Sequence, residues 1–341
     1  MADLYSTSVL NRVVTSLIGV PQFLLDRYFG NTQTETTEEI HFDTVDGKRR
    51  ISPFVSPLVE GQIVASRGFR TSTFKPAYIK DKRVFDMNRP LKRIPGEQLY
   101  GSMSPVERLR ALMAQDMQDQ RDMLNRRLET MAGEILSTGL LTISGDKYPT
   151  QVLDFGMTAN QSTGHWQNTA TSKPLDDLQA WAMDVLQATG AMMLDVLMTP
   201  RAWTLFSTSQ QVKDHQTMWR TWTQPPSLSG NAPVTEGGVF MGTIAGFNIY
   251  VYSGWYVDPA DGVEKPILRA PDMVIMTSPA IEGYQAYGAI RDEEAGLQPL
   301  PYFVKSWVEP DPSVRFVMLQ SAPILVPYRP GVLYRANVDN P

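Results

Sequence analysis

The sequence predicts an α+β fold with one discontinuous domain, and three observations carry that reading. Proline-punctuated runs of alternating apolar and polar residues fill positions 40–91, the pattern of long ragged strands. One long capped helix follows at 104–137, and strand character returns between residues 283 and 326, after a helical stretch.

Taken in order, residues 1–30 read as an arm with a short amphipathic piece ending at Tyr28-Phe29-Gly30, and Thr32 to Glu39 as a polar connector. From Ile40 to Leu91 the runs are broken at Pro53, Pro57, Pro76 and Pro90. Paired as a hairpin with arms of roughly 20 residues, they would reach ~65 Å. Two strands alone are marginal, so such a hairpin needs a partner surface. Ser104-Pro105-Val106-Glu107 is a capping box with proline at the first helical position. Leu109, Met113, Met117, Leu124 and Leu128 continue one apolar stripe at spacings of three and four, and Gly139 offers a stop. That helix would run about 50 Å. Its charged residues, Asp116, Arg121, Asp122, Arg126, Arg127 and Glu129, read as a solvated outer face, and Gln120 breaks the heptad pattern. Strands are expected at 140–143 and 151–155, a capped helix at 174–189 closed by Gly190, a strand at 196–199 and a helix from Pro200. Phe247 to Tyr252, Met273 to Thr277, Gly283 to Ile290, Tyr302 to Val308 and Ser313 to Val326 complete the strand set.

Composition narrows function. With 341 residues, 42% hydrophobic and 20% charged, the chain has ample material for a core. Cysteine is absent, which excludes disulfides, thiolate nucleophiles and Cys-ligated zinc and fits assembly in a reducing cytoplasm. Neither a signal peptide nor a membrane span is evident. The net charge of −5 does not mark a dedicated nucleic-acid binder. Its distribution is uneven: residues 47–93 hold twelve basic side chains against Glu60, Asp81 and Asp86, a surplus of nine that leaves the remainder at −14. A basic face, a phosphate patch and an arm docking on acidic surface all fit that charge.

Chemistry is missing. His41, His165 and His215 have no zinc spacing, and the glycine-bearing stretch 96–102 lacks the lysine of a phosphate loop. Asp292-Glu293-Glu294 reads as a solvated turn, and no serine sits in a nucleophile elbow. No catalytic residue, cofactor site or metal site is expected, and the chain is not expected to be an enzyme.

Several passages together resemble the lambda-type major capsid protein family of tailed bacteriophages. They are Val55-Ser56-Pro57-Leu58-Val59-Glu60-Gly61, Ser66-Arg67-Gly68, Phe74-Lys75-Pro76-Ala77-Tyr78-Ile79-Lys80, Arg201-Ala202-Trp203-Thr204-Leu205-Phe206, Val251-Tyr252-Ser253-Gly254, Asp272-Met273-Val274, and Lys305 to Pro312 leading into Gln320-Ser321-Ala322-Pro323. The likeness runs from about Phe23 to Val332, and the stretches 160–173 and 207–238 depart most.

The resemblance implies the Hong Kong 97-like capsid fold: an N-arm at 1–34, an extended loop at 35–93, a peripheral domain from 94–171 and 286–341 with spine helix 104–137, and an axial domain at 172–285. It implies inter-subunit contacts through Arg49, Arg50, Arg67, Arg70, Lys75, Tyr78, Lys80 and Lys82. The helix core would hold Leu109, Met113, Met117, Leu124 and Leu128, and the peripheral strands Trp307 and Phe316. The implied function is an icosahedral shell of hexamers and pentamers around phage double-stranded DNA, with procapsid maturation by domain rotation. The implied partners are the chain itself, scaffolding, portal and decoration proteins, and packaged DNA without sequence preference. A separate scaffold is expected, since no long charged helical extension precedes the arm. A tail-tube subunit and an encapsulin-type compartment are the alternatives; the long helix weighs against the former, and DNA content separates the latter.

Overall fold

The computed structural model describes residues 7–17, 22–45 except 38, 51–52, 54, 60, 69–93 except 87, 97, 103–145, 148–157, 161–215 except 164, and 237–339 except 312–313. The arm carries helix α1 (Thr7–Ser16) and the short helix α2 (Phe23–Tyr28). Strands β1 (Asn31–Thr34), β2 (Ile40–Val45), β3 (Phe69–Phe74) and β4 (Ile79–Asp86) lead to helix α3 (Pro105–Thr138). Then come β5 (Leu140–Gly145), β6 (Tyr148–Asp154), β7 (Gln161–Thr163), α4 (Pro174–Thr189), β8 (Asp195–Met198) and α5 (Pro200–Thr208). The chain closes with β9 (Gly238–Ile244), β10 (Phe247–Tyr252), β11 (Trp255–Val257), β12 (Glu264–Pro266), β13 (Met273–Thr277), β14 (Tyr284–Tyr287), β15 (Phe303–Glu309), β16 (Val314–Ser321), β17 (Pro323–Val326) and β18 (Leu333–Asn337).

Helix α3 forms where its caps say it should. The Ser104 side chain accepts from the Glu107 backbone N–H, the Glu107 carboxylate accepts from the Ser104 N–H, and Gly139 closes the helix in the left-handed conformation. Its stripe serves two cores in turn. Met113, Met117 and Leu124 are buried against Leu10 and Val14 of α1 and against Phe85, Val304, Val317 and Leu319 of the β15-β16-β4 sheet, with Leu109 half-buried beside them. Leu128, Ile135 and Leu136 enter a second core with α2, β13, β14 and β17. A third core, around Trp166, Trp181 and Phe206, packs α4 and α5 on the six-stranded sheet β7-β18-β13-β8-β10-β9.

The structure differs from the sequence reading at several points. Strands β7 and β18, within the stretches assigned to the peripheral domain, belong to the six-stranded sheet; β18 pairs with β13, Ile275 facing Arg335. Strand β4, within the stretch assigned to the extended loop, is the third strand of the β15-β16-β4 sheet, Lys82 facing Met318. The polar connector begins with β1, which pairs in parallel with β14. Where one strand is expected, Val314–Ser321 and Pro323–Val326 are two strands in two sheets. Gln120 is buried, its amide donating to the Asp81 carbonyl at 3.0 Å, so it is an interior residue of the helix. Glu129 is buried rather than solvated.

Candidate assembly surfaces

The arm is held to the body at α2. Two glycines make room for it: a Cβ on Gly238 would lie 2.4 Å from the Phe23 ring, and one on Gly283 would lie 2.4 Å from the Tyr28 carbonyl oxygen. Two buried carboxylates then fix it. Glu129 of α3, 1% exposed, accepts from the backbone N–H of Leu24 at 2.9 Å and of Leu25 at 2.8 Å, and from the Tyr252 hydroxyl at 2.8 Å. Those N–H groups open a helix and lack intrahelical partners, so a carboxylate there is favoured. Asp195 of β8, fully buried, takes a two-pronged ion pair from Arg27 at 2.7 and 2.8 Å and a hydroxyl bond from Tyr28 at 3.2 Å. Burial nevertheless pushes the Glu129 carboxyl up to about 7, against the pull of its three donors.

Helix α1 packs on an earlier stretch of α3 and on the β15-β16-β4 sheet. The Asn11 side-chain oxygen accepts from the Val304 N–H at 2.7 Å, and Arg121 donates to the carbonyls of Val14 and Leu17. Thr7 donates to Glu294, while Asp292 binds Lys305. The acidic turn expected to be solvated therefore ties arm and sheet together.

The loop residues divide. Arg49, Arg50 and Arg67 lie outside the described residues, and Arg70 sits on β3 opposite Thr44. The β2–β3 hairpin is rooted in the second core by Ile40 and Phe74. Beyond it, Ile51 is 92% exposed and Phe54 fully exposed. Lys75 is exposed just past β3, and its carbonyl accepts from the Tyr148 hydroxyl. Tyr78 donates to the Ala289 carbonyl. Lys80 lies 5.4 Å over the Tyr78 ring, and Lys82 3.8 Å over the Phe316 ring. Part of the basic surplus is neutralised within the chain, since Arg83 and Arg89 both pair with Asp116 of α3.

Trp307 and Phe316 stack at 5.4 Å on the face of the β15-β16-β4 sheet turned away from α3, beside exposed Val84. A cleft of about 320 Å³ opens between α3, the β5–β6 hairpin and the chain entering β4, lined by Tyr78, Ile79, Arg127, Met131 and Tyr148 among others. Among the described residues no group of three or more acidic or histidine side chains gathers as for a metal ion, and no helix is long and apolar enough to cross a membrane.

The residues that pattern reading missed are Glu129 and Asp195. Each occupies an ordinary place in sequence, one in a charged helix face and one opening a short strand, and its partners in the arm lie 105 and 168 residues away.

Residues 6–338 match the model of a family described as phage major capsid protein E. Over 335 residues the chain is 28% identical to the major capsid protein of Escherichia phage lambda, covering 95% of this chain and 96% of that one. The structure resembles that of a putative capsid protein of a prophage from E. coli CFT073, with a TM-score of 0.74, 22% identity and coverage of 97% and 98%. The capsid of cyanophage P-SCSP1u shares the fold at a TM-score of 0.52 with 9% identity, covering 96% of this chain and 90% of that one. The architecture is the Hong Kong 97-like capsid fold, and the chain belongs to the phage major capsid protein E family.

Proposed function

We propose that the chain is the major capsid subunit of a tailed-phage head, a structural protein that closes into the hexamers and pentamers of an icosahedral shell around double-stranded DNA. The observation that carries this reading is the hairpin: a rooted two-stranded arm with large apolar side chains, Ile51 and Phe54, bare beyond it. One chain leaves those groups in water, whereas a neighbour can cover them. Contacts between unlike patches close into rings when the rotation closes, which gives both five- and six-membered capsomers from one sequence.

On this reading the arm is 1–34, the extended loop is the hairpin region within 35–93, and the peripheral and axial bodies centre on the β15-β16-β4 and six-stranded sheets. Scaffolding, portal and decoration proteins are separate chains. Strand β1, an edge strand with all four residues exposed, offers a decoration protein a place to add a strand. Packaged DNA meets a mildly acidic container that holds it without sequence preference.

Sedimentation tests the hairpin's part in assembly. Replacing Arg67 and Arg70 by Glu should leave a soluble folded subunit with no fast-sedimenting shells; shells at parental yield contradict the reading.

A further inference from the structure

Helix α2 is positioned by three bodies at once. Its first turn rests on Glu129 of α3, its Arg27 on Asp195 of the six-stranded sheet, and its flanks on Gly238 and Gly283. Phe23 completes the seat against Tyr250 and Tyr252 of β10, ring centroids 5.1 and 6.0 Å away. The Arg27 guanidinium also lies 4.7 Å over the Tyr250 ring. Glu129 falls one residue beyond Leu128, where the stripe of α3 passes from the core under the β15-β16-β4 sheet to the core shared with α2. The far end of α3 is tied independently: Arg335 of β18 donates to the carbonyls of Ser137 at 3.2 Å and Met157 at 2.8 Å.

From this arrangement we infer that residues 22–28 are a conformational latch. Seated, the segment clamps α3 to the six-stranded sheet at one mutual angle; unseated, it leaves the Arg335 tie, the Arg269–Glu134 ion pair and the packing of Ile135 and Leu136 in the core shared with Ile275, and lets the two bodies shift about those contacts. Interfaces of this kind have discrete seated and unseated states rather than a continuum, because a packed seat cannot deform gradually. The seat joins hydrogen bonds to two buried carboxylates with the α2 side chains Phe23, Leu24, Leu25 and Tyr28 of the second core, so unseating exposes those side chains and leaves the cores under the β15-β16-β4 sheet and around Trp166 closed. Resting on the capsid reading, the inference adds that the latch selects the shell's curvature, since the angle between the two bodies sets how neighbours meet.

The absence of cysteine makes a direct test available. Leu24 is fully buried in the seat, so Leu24→Cys places one thiol where only unseating exposes it. Labelling of the isolated subunit by a maleimide is measured in this background alone, with Asp195→Asn, and separately with Gly238→Ala, which obstructs Phe23 without touching a charge. Each added substitution should raise the labelling rate at least about tenfold with the far-ultraviolet circular dichroism unchanged. Shells from the same substitutions in the parent chain should lose their single diameter. Unchanged labelling in both folded variants overturns the latch, as does faster labelling with an unchanged distribution of diameters. Insolubility of both variants also overturns it, because it would mean that the subunit has no folded state with α2 unseated. Failure of the parent to form shells would count against the capsid reading and against selection of curvature, with labelling of the subunit still deciding the latch.

Discussion

Glu129 gives the sharpest quantitative expectation. Its carboxyl is 1% exposed; burial is the largest influence on it, opposed by the N–H groups of Leu24 and Leu25 and the hydroxyl of Tyr252, while the nearby negative charge of Asp26 adds to the rise. The folded group therefore keeps its proton up to about pH 7, against 4.5 for an ordinary glutamate. Between those values the folded chain binds more protons than the unfolded one, so stability falls as pH rises. The contribution is fully present below pH 4.5 and lost by the time pH has passed 7. The gap corresponds to roughly 3 kcal/mol as an upper figure. Carboxylates held low by a partner, such as Asp258 bonded to Lys265, act with the opposite sign and below this window. The assay is urea unfolding of the isolated subunit at pH 5, 6, 7 and 8, beside Glu129→Gln, which keeps the shape and removes the titration. The parent-minus-variant difference should slope downward from pH 5 to 8 by about 2–3 kcal/mol. Parallel curves for the two proteins would refute the assignment.

Leu124→Ala, in the core between α3 and the β15-β16-β4 sheet, should cost about 2–5 kcal/mol by thermal or urea unfolding, whereas Val106→Ala, at an exposed site on the same helix, should stay within about 0.5 kcal/mol. Gln120→Asp should also destabilise, by about 1–3 kcal/mol, because it removes the amide that serves the Asp81 carbonyl; a neutral result would mean that bond is dispensable. Detergent-boiled virions should run as a single band near 38 kDa, with no isopeptide cross-link between subunits; a ladder of covalent oligomers would contradict this.

How much of this was legible in the sequence depends on how local each signal is. Helix α3 was readable because its cap, stripe and stop lie within one stretch, and it begins and ends within a residue of the expected bounds. The same holds for α4, β10 and β13. Strand β18 was not readable, because Leu333-Tyr334-Arg335-Ala336-Asn337 carries a cation at its centre; that cation is buried only because the carbonyls at the end of α3 receive it. Strand β1 is polar throughout and exists through pairing with β14, more than 250 residues away. Strand β9 begins at a glycine that looks like a breaker and is instead the space Phe23 needs. The basic stretch showed its charge but not its partition: Arg83 and Arg89 pair with Asp116 of α3, while among the described residues β2 and β3 form a two-stranded sheet of their own.

The central claim, that this subunit builds a closed shell, is tested most directly by negative-stain electron microscopy of the purified chain concentrated under assembly conditions and, in parallel, of virions that contain it. The account predicts isometric hollow particles of a single diameter from the purified chain, and DNA-filled heads of the same architecture from virions. Open tubes, or a chain that stays monomeric at every concentration, would contradict it.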